Sequence, residues 1–133
     1  MVCFHSDYLH VEFYEAHSVL ISQWYGRCTK EQYREALLRF SQLVRQTKAQ
    51  YAITDRRMLP PIDQSEIDWT LNDYMSLFCK LPLKRFAYIN SFDERSNEQL
   101  RDFLASPHCH IPFEVRIFDD LTSAYDWLVS VEA

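Results

Sequence analysis

Glycine is nearly missing from this chain: Gly26 is the only one among 133 residues. The glycine-rich loops that cradle phosphates, GxGxxG and GxxxxGK, need backbone that only glycine permits, so dinucleotide-binding and P-loop enzymes are excluded. GxSxG and HExxH are absent too, which removes nucleophile-elbow hydrolases and zincins. Apolar runs are short, and none approaches the roughly 20 residues that cross a bilayer. The opening Met1-Val2-Cys3-Phe4-His5-Ser6-Asp7 has neither a basic n-region nor an apolar h-region, so it does not read as an export signal. Cysteine is sparse. Cys3, Cys28, Cys79 and Cys109 contain no CxxC pair, and free thiols in a reducing compartment are expected in place of a disulfide framework. The expectation is a cytoplasmic protein without a membrane span. Positive charge is also short, with 14 Lys and Arg against 19 Asp and Glu and a net charge of −5. The cations are scattered, so the long-range field repels phosphate backbones and nucleic acid is not an expected partner.

What is abundant is apolar and aromatic surface. Hydrophobic residues make up 47% of the chain and aromatic rings 15%, enough for one compact core and too many for a disordered segment. No repeat, low-complexity tract or long linker divides the chain, so residues 1–133 are expected to form a single domain.

The periodicity alternates between two and three-and-a-half. In Tyr8–Tyr14, Leu9, Val11 and Phe13 alternate with polar neighbours, which predicts a half-buried strand. Glu15-Ala16-His17-Ser18 turns the chain into a second strand, Val19 to Tyr25, ended by Gly26; the two form an antiparallel hairpin. Thr29 with Gln32 makes a capping box ahead of a helix whose apolar face is Tyr33, Ala36, Leu37, Phe40, Leu43 and Val44. Tyr51-Ala52-Ile53-Thr54 is a short strand with little polar relief, as in the middle of a sheet. After Pro60-Pro61, Asp63 with Glu66 repeats the capping pattern for a helix through Ile67, Leu71, Met75 and Phe78. Trp69, Tyr74, Leu77 and Leu81 widen that helix's apolar stripe beyond one core-facing side; part of it could meet another subunit, and packing against the protein's own hairpin is the plainer expectation. Arg85–Asn90 is the fourth strand, Leu100, Phe103 and Leu104 mark a third helix, Phe113 to Ile117 an edge-like fifth strand, and Leu121 to Val129 a closing helix. Strands joined through helices are parallel neighbours with right-handed crossovers. The fold class is therefore α/β: a single mixed sheet of about five strands, an antiparallel hairpin followed by parallel strands, with four helices.

The closing segment Phe113-Glu114-Val115-Arg116-Ile117-Phe118-Asp119-Asp120-Leu121-Thr122-Ser123-Ala124-Tyr125-Asp126-Trp127-Leu128 resembles the last strand and helix of small bacterial STAS-like proteins, which are similar to anti-sigma-factor antagonists. Tyr51-Ala52-Ile53-Thr54-Asp55-Arg56 resembles the central strand of that family, with its terminal acidic residue followed by Arg. The resemblance in element order covers nearly the whole chain. It implies successive strand–helix turns and a binding or regulatory role without a cofactor. In the phospho-switched members a serine opens the helix after the central strand, close behind an aspartate. Here Arg56 and Arg57 follow Asp55 and no Ser or Thr occurs until Ser65, so no phosphoserine switch is expected. The architecture also resembles CRAL-TRIO lipid-transfer proteins, which implies an apolar ligand, although this chain is short for an enclosed lipid cavity.

The candidate site is Asp55-Arg56-Arg57, placed where a parallel strand ends and where open α/β sheets tend to bind ligands. Arg56 and Arg57 could hold a carboxylate or phosphate; the plainer account is an Asp–Arg ion pair pinning the loop. His108-Cys109-His110 offers metal-binding side-chain types, yet neighbours on an extended segment point apart, and a polar loop is the expected role. Cys28 precedes a helix N-terminus, which can lower a thiol pKa, but no base is marked out beside it. Asp93-Glu94 and Asp119-Asp120 read as helix caps, and Trp24, Trp69 and Trp127 as core. No catalytic residue, metal or cofactor is assigned. Two functions follow: a protein-interaction or regulatory module, expected as a homodimer with a protein partner, or a binder of an anionic or lipid-like small ligand, or an enzyme, using the Asp55-Arg56-Arg57 region beside an aromatic-walled pocket.

Overall fold

The computed structural model describes residues 1–107 and 110–130. Six strands form one sheet in sequential order: β1 (Val2–His5), β2 (Leu9–Tyr14), β3 (Val19–Trp24), β4 (Tyr51–Asp55), β5 (Arg85–Ile89) and β6 (Glu114–Phe118). β1, β2 and β3 are antiparallel, and β3 to β6 run parallel. The sixth strand is β1, whose burial does not alternate and whose pairing with β2 slips between Val2 and Phe4, so period-two reading has nothing to detect. The β2–β3 connection is a 3₁₀ turn, Glu15–His17, closed by Ser18 in the left-handed region at φ 60°.

Helix α1 (Lys30–Thr47) carries the full capping box: Thr29 Oγ1 accepts from the Gln32 amide, and the Gln32 side chain accepts from the Thr29 amide. The second helical rod consists of α2 (Gln64–Trp69), a π-helical stretch (Thr70–Tyr74) and α3 (Met75–Phe78). The π stretch rotates the stripe, so Thr70, Tyr74, Met75 and Phe78 are all buried. That accounts for the breadth of the apolar surface. The rod packs on α1 and β5: Tyr33 meets Trp69, Ser41 Oγ and Tyr74 Oη are 2.9 Å apart, and Phe78 meets Phe86. Its link to the hairpin passes through Tyr33, which stacks on Trp24. α4 (Glu94–Leu104) and α5 (Leu121–Val129) complete the chain, each with an aspartate N-cap: Asp93 accepts from the Arg95 amide and Asp120 from the Ser123 amide.

Right-handed crossovers between strands laid down in sequential order put every connecting helix on one face. Accordingly, α1, the second rod and α4 share the larger core with Leu9, Val11, Leu20, Ala52 and Phe86. The opposite face is covered by α5, whose Ala124 and Leu128 pack on Val19, Ile53, Ala87 and Ile89. Cys3 and Cys28 are free, whereas Cys79 is disulfide-bonded, a departure from the expectation of free thiols throughout. Among the described residues, no helix is long and apolar enough to cross a membrane.

Candidate functional site

The end of β4 distributes its three charged residues over two faces of the sheet. Side chains alternate along a strand, so Ala52, Thr54 and Arg56 lie on the side of α1 and α4, while Ile53 and Asp55 lie on the side of α5. The Arg56 amide continues the ladder by donating to Ile89 O (3.1 Å), and the chain then reverses as the Leu59 amide donates to Arg56 O (2.9 Å). Asp55 fixes that reversal. Its Oδ1 accepts from the Arg57 amide (3.0 Å), an Asx-type turn, and its two oxygens accept from Arg57 Nε and Nη2, the latter at 2.6 Å. Gln23 Nε2 also donates to Asp55 Oδ2 (3.3 Å). Asp55 and Arg57 thus form a bidentate pair on the α5 side, and the side chain of Arg56 is separated from both by the sheet.

Arg56 lines a cavity of about 520 Å³ between the sheet and the three helices on that face. The volume falls within the range of small-molecule sites. Its walls are a succession of rings in contact: Trp24 on Tyr33, Tyr74 on Phe78, Phe78 on Phe86, and Phe86 stacked on Tyr88 with centroids 4.5 Å apart. Leu9, Ala36, Phe40, Ile62 and Leu100 fill the spaces between them. Arg95, Glu98 and Asp102, all exposed on α4, stand at the opening.

The polar groups within are few. Arg56 is only 6% exposed, and Nη1 donates to Ser96 O (3.2 Å) and Nη2 to Ser96 Oγ (3.3 Å). No carboxylate pairs with it among the described residues. Burial pulls its pKa below the ordinary arginine value, opposed by the nearby Tyr88 and Tyr33 hydroxyls. The Ser96 amide donates to Asp93 O (3.1 Å), and its neighbour Asn97 ties the start of α4 to the loops: the Ser91 amide donates to Asn97 Oδ1 (2.7 Å), Asn97 Nδ2 donates to Ser91 O, and Ser91 Oγ donates to Leu59 O (2.8 Å). The loop after β4 and the first turn of α4 are therefore one rigid support for Arg56. On the far wall, Thr70 Oγ1 donates to Glu66 O (2.7 Å) and lies 3.0 Å from Tyr33 Oη. Thr70 has a single proton, already given to the carbonyl, so Tyr33 is the donor in the second bond. Burial raises the Tyr33 pKa to about 12 and those of Tyr74 and Tyr88 further, so all three stay protonated near neutrality.

The other sequence candidates fall elsewhere. His108 and Cys109 lie outside the described residues, and among those described no group of three His, Cys, Asp or Glu is placed to hold a metal ion. Cys28 is half-buried and burial raises its pKa, the reverse of activation. Asp63 is the N-cap of α2 but its side chain makes no capping bond, and Glu66 turns instead to Arg34. Trp24 stands in the cavity wall; Trp127 lies on the α5 face against Phe118. Sequence reasoning missed Tyr88, Tyr33 and Ser96. The period-two pattern of β4 was the available signal that Arg56 and Asp55 face opposite ways.

No protein-family model matches the chain, and no curated protein matches it. Among solved structures it is similar to a protein from Shewanella loihica PV-4, described as an uncharacterized member of the DUF3478 family with a SpoIIAA-like fold. The TM-score is 0.60 at 16% identity, covering 95% of this chain and 98% of that one. The fold is therefore SpoIIAA-like, which is to say STAS-like, as the closing strand and helix and the central strand suggested.

Proposed function

We propose that the chain is a non-enzymatic binding module that holds a small, largely apolar molecule in the cavity between the sheet and α1, the second rod and α4. The observation that carries this reading is the cavity itself. Well-packed interiors leave few voids larger than a water molecule, yet here about 520 Å³ stays open beside an aromatic wall. The lining supports binding over turnover: among its described residues there is no imidazole or thiol, and its carboxylates Glu98 and Asp102 are exposed at the opening. The test is a titration with the neutral fluorophore N-phenyl-1-naphthylamine. The expected result is saturable fluorescence enhancement at one site per chain. Folded protein that gives no saturable signal would remove the reading.

A second reading, a contact with a protein partner or a second copy of this chain, is favoured by the tip beyond the strands. Phe92 is 79% exposed and Met58 55%, and the Phe92 amide donates to Arg57 O (3.0 Å), which sets this apolar pair beside the Asp55–Arg57 ion pair. Self-association measured by sedimentation equilibrium should weaken in Phe92→Ser. An unchanged association constant would count against the tip as the contact.

A further inference from the structure

Building on the cavity reading, we propose that the ligand is a monocarboxylate with an apolar body, its carboxylate received by Arg56 and Tyr88. A buried guanidinium is costly unless a counter-charge offsets its lost hydration. Arg56 has none. Its two bonds, at 3.2 and 3.3 Å, go to neutral oxygens of one serine and are long for charge-assisted contacts. Two of its five N–H groups are thus used among the described residues, which leaves three. The partner serine belongs to the first turn of α4, where the peptide dipoles present their positive end, so the helix adds to the uncompensated field.

Tyr88 supplies the second donor. It pairs with Thr54 in the strand register, two residues before Arg56, and lines the same cavity; among the described residues its hydroxyl has no hydrogen-bond partner. Tyr33 does not compete for this role, because its proton is committed to Thr70. The charge of the ligand follows from the remaining residues. Arg56 is the single buried cation in the lining, and Glu98 and Asp102 outnumber Arg95 at the opening. A dianion would meet one buried positive charge and a net negative rim. A carboxylate matches the planar guanidinium fork with one charge, and Trp24, Phe40, Phe78 and Phe86 provide the apolar walls for the rest of the molecule.

The test compares octanoate with 1-octanol, each displacing N-phenyl-1-naphthylamine at pH 7.5, and uses inorganic phosphate as the dianion. Desolvation alone favours the alcohol, so an acid that binds better requires a receiving charge. Octanoate should bind at least about tenfold more tightly than 1-octanol, as expected for hydrogen bonds to a charged group. Phosphate should not displace the fluorophore. In Arg56→Met the preference for the acid should disappear while the alcohol still binds, and in Tyr88→Phe it should fall several-fold. If Arg56→Met does not fold, the wild-type preference and the Tyr88→Phe variant decide. Equal binding of acid and alcohol by the wild type, displacement by phosphate, or an unchanged preference in Tyr88→Phe would overturn the proposal while the cavity reading stands. Failure of the neutral fluorophore itself to bind would overturn both.

Discussion

Two buried ionic side chains show how differently this protein treats charge. Glu66, with its side chain 3% exposed, accepts from Arg34 Nε at 2.6 Å and from Ser65 Oγ at 2.9 Å. The Arg34 guanidinium, chiefly through that hydrogen bond, holds the Glu66 carboxyl below its ordinary value of 4.5. A depressed carboxylate pKa contributes stability that is present above the unfolded value and is lost as pH falls through the folded one. Since the Arg34 side chain is 43% exposed, solvent screens the pair and the contribution at neutral pH is small. Glu66→Gln should therefore unfold in less denaturant than the wild type at pH 7. The gap should narrow as pH drops below 4.5 and close once it passes the lowered folded value. A gap that stayed constant from pH 7 to pH 3 would show that the carboxylate charge has no part in it. Arg56, by contrast, is buried with hydroxyl and carbonyl acceptors only, an arrangement that serves stability poorly and suits a ligand.

At the scale of single elements, what was legible in the sequence was what is local. The Thr29–Gln32 capping box closes over three residues and is present as read. The Asp63–Glu66 pair has the same spacing, but Glu66 finds Arg34, 32 residues away, and no sequence window contains that choice. The broad stripe from Ile67 to Leu81 announced that something was unusual; the π stretch Thr70–Tyr74 is what it was, and Thr70 with its bond back to Glu66 O marks its start. At the other end of α1, Lys48 closes the helix in the left-handed region at φ 56°, its amide donating to Val44 O. A side chain there costs about 1 kcal/mol relative to glycine, partly offset by the greater freedom glycine has when unfolded. Lys48 is exposed, so Lys48→Gly should raise stability by about 0.5 kcal/mol, read as a higher denaturation midpoint with an unchanged slope. A lower midpoint would mean that the lysine side chain contributes more than its backbone strain removes.

At the scale of the whole molecule, the alternation of strands and helices prescribed the layer order, and hence that Asp55 would stand at the end of a parallel strand. It could not prescribe the cavity. An unfilled space is a property of how three helices on one face meet the sheet, and from sequence the same rings read first as core and only in the second of the two functions as the wall of a pocket. Ala36 shows why: at its position on α1 it belongs to the apolar stripe, it is buried, and it also lines the open space. A small residue at that place keeps room that a larger one would occupy. Ala36→Leu changes helix propensity little and adds apolar volume where a void exists, so it should stabilise the protein by about 1 kcal/mol, as cavity-filling substitutions commonly do. The same variant should bind N-phenyl-1-naphthylamine more weakly than the wild type. Stability and occupancy then move in opposite directions, which is the signature of a space maintained for a ligand at some cost in packing. If Ala36→Leu instead lowered the melting temperature and left fluorophore binding intact, the space around residue 36 would already be filled in solution, and the cavity would have no claim to be a binding site.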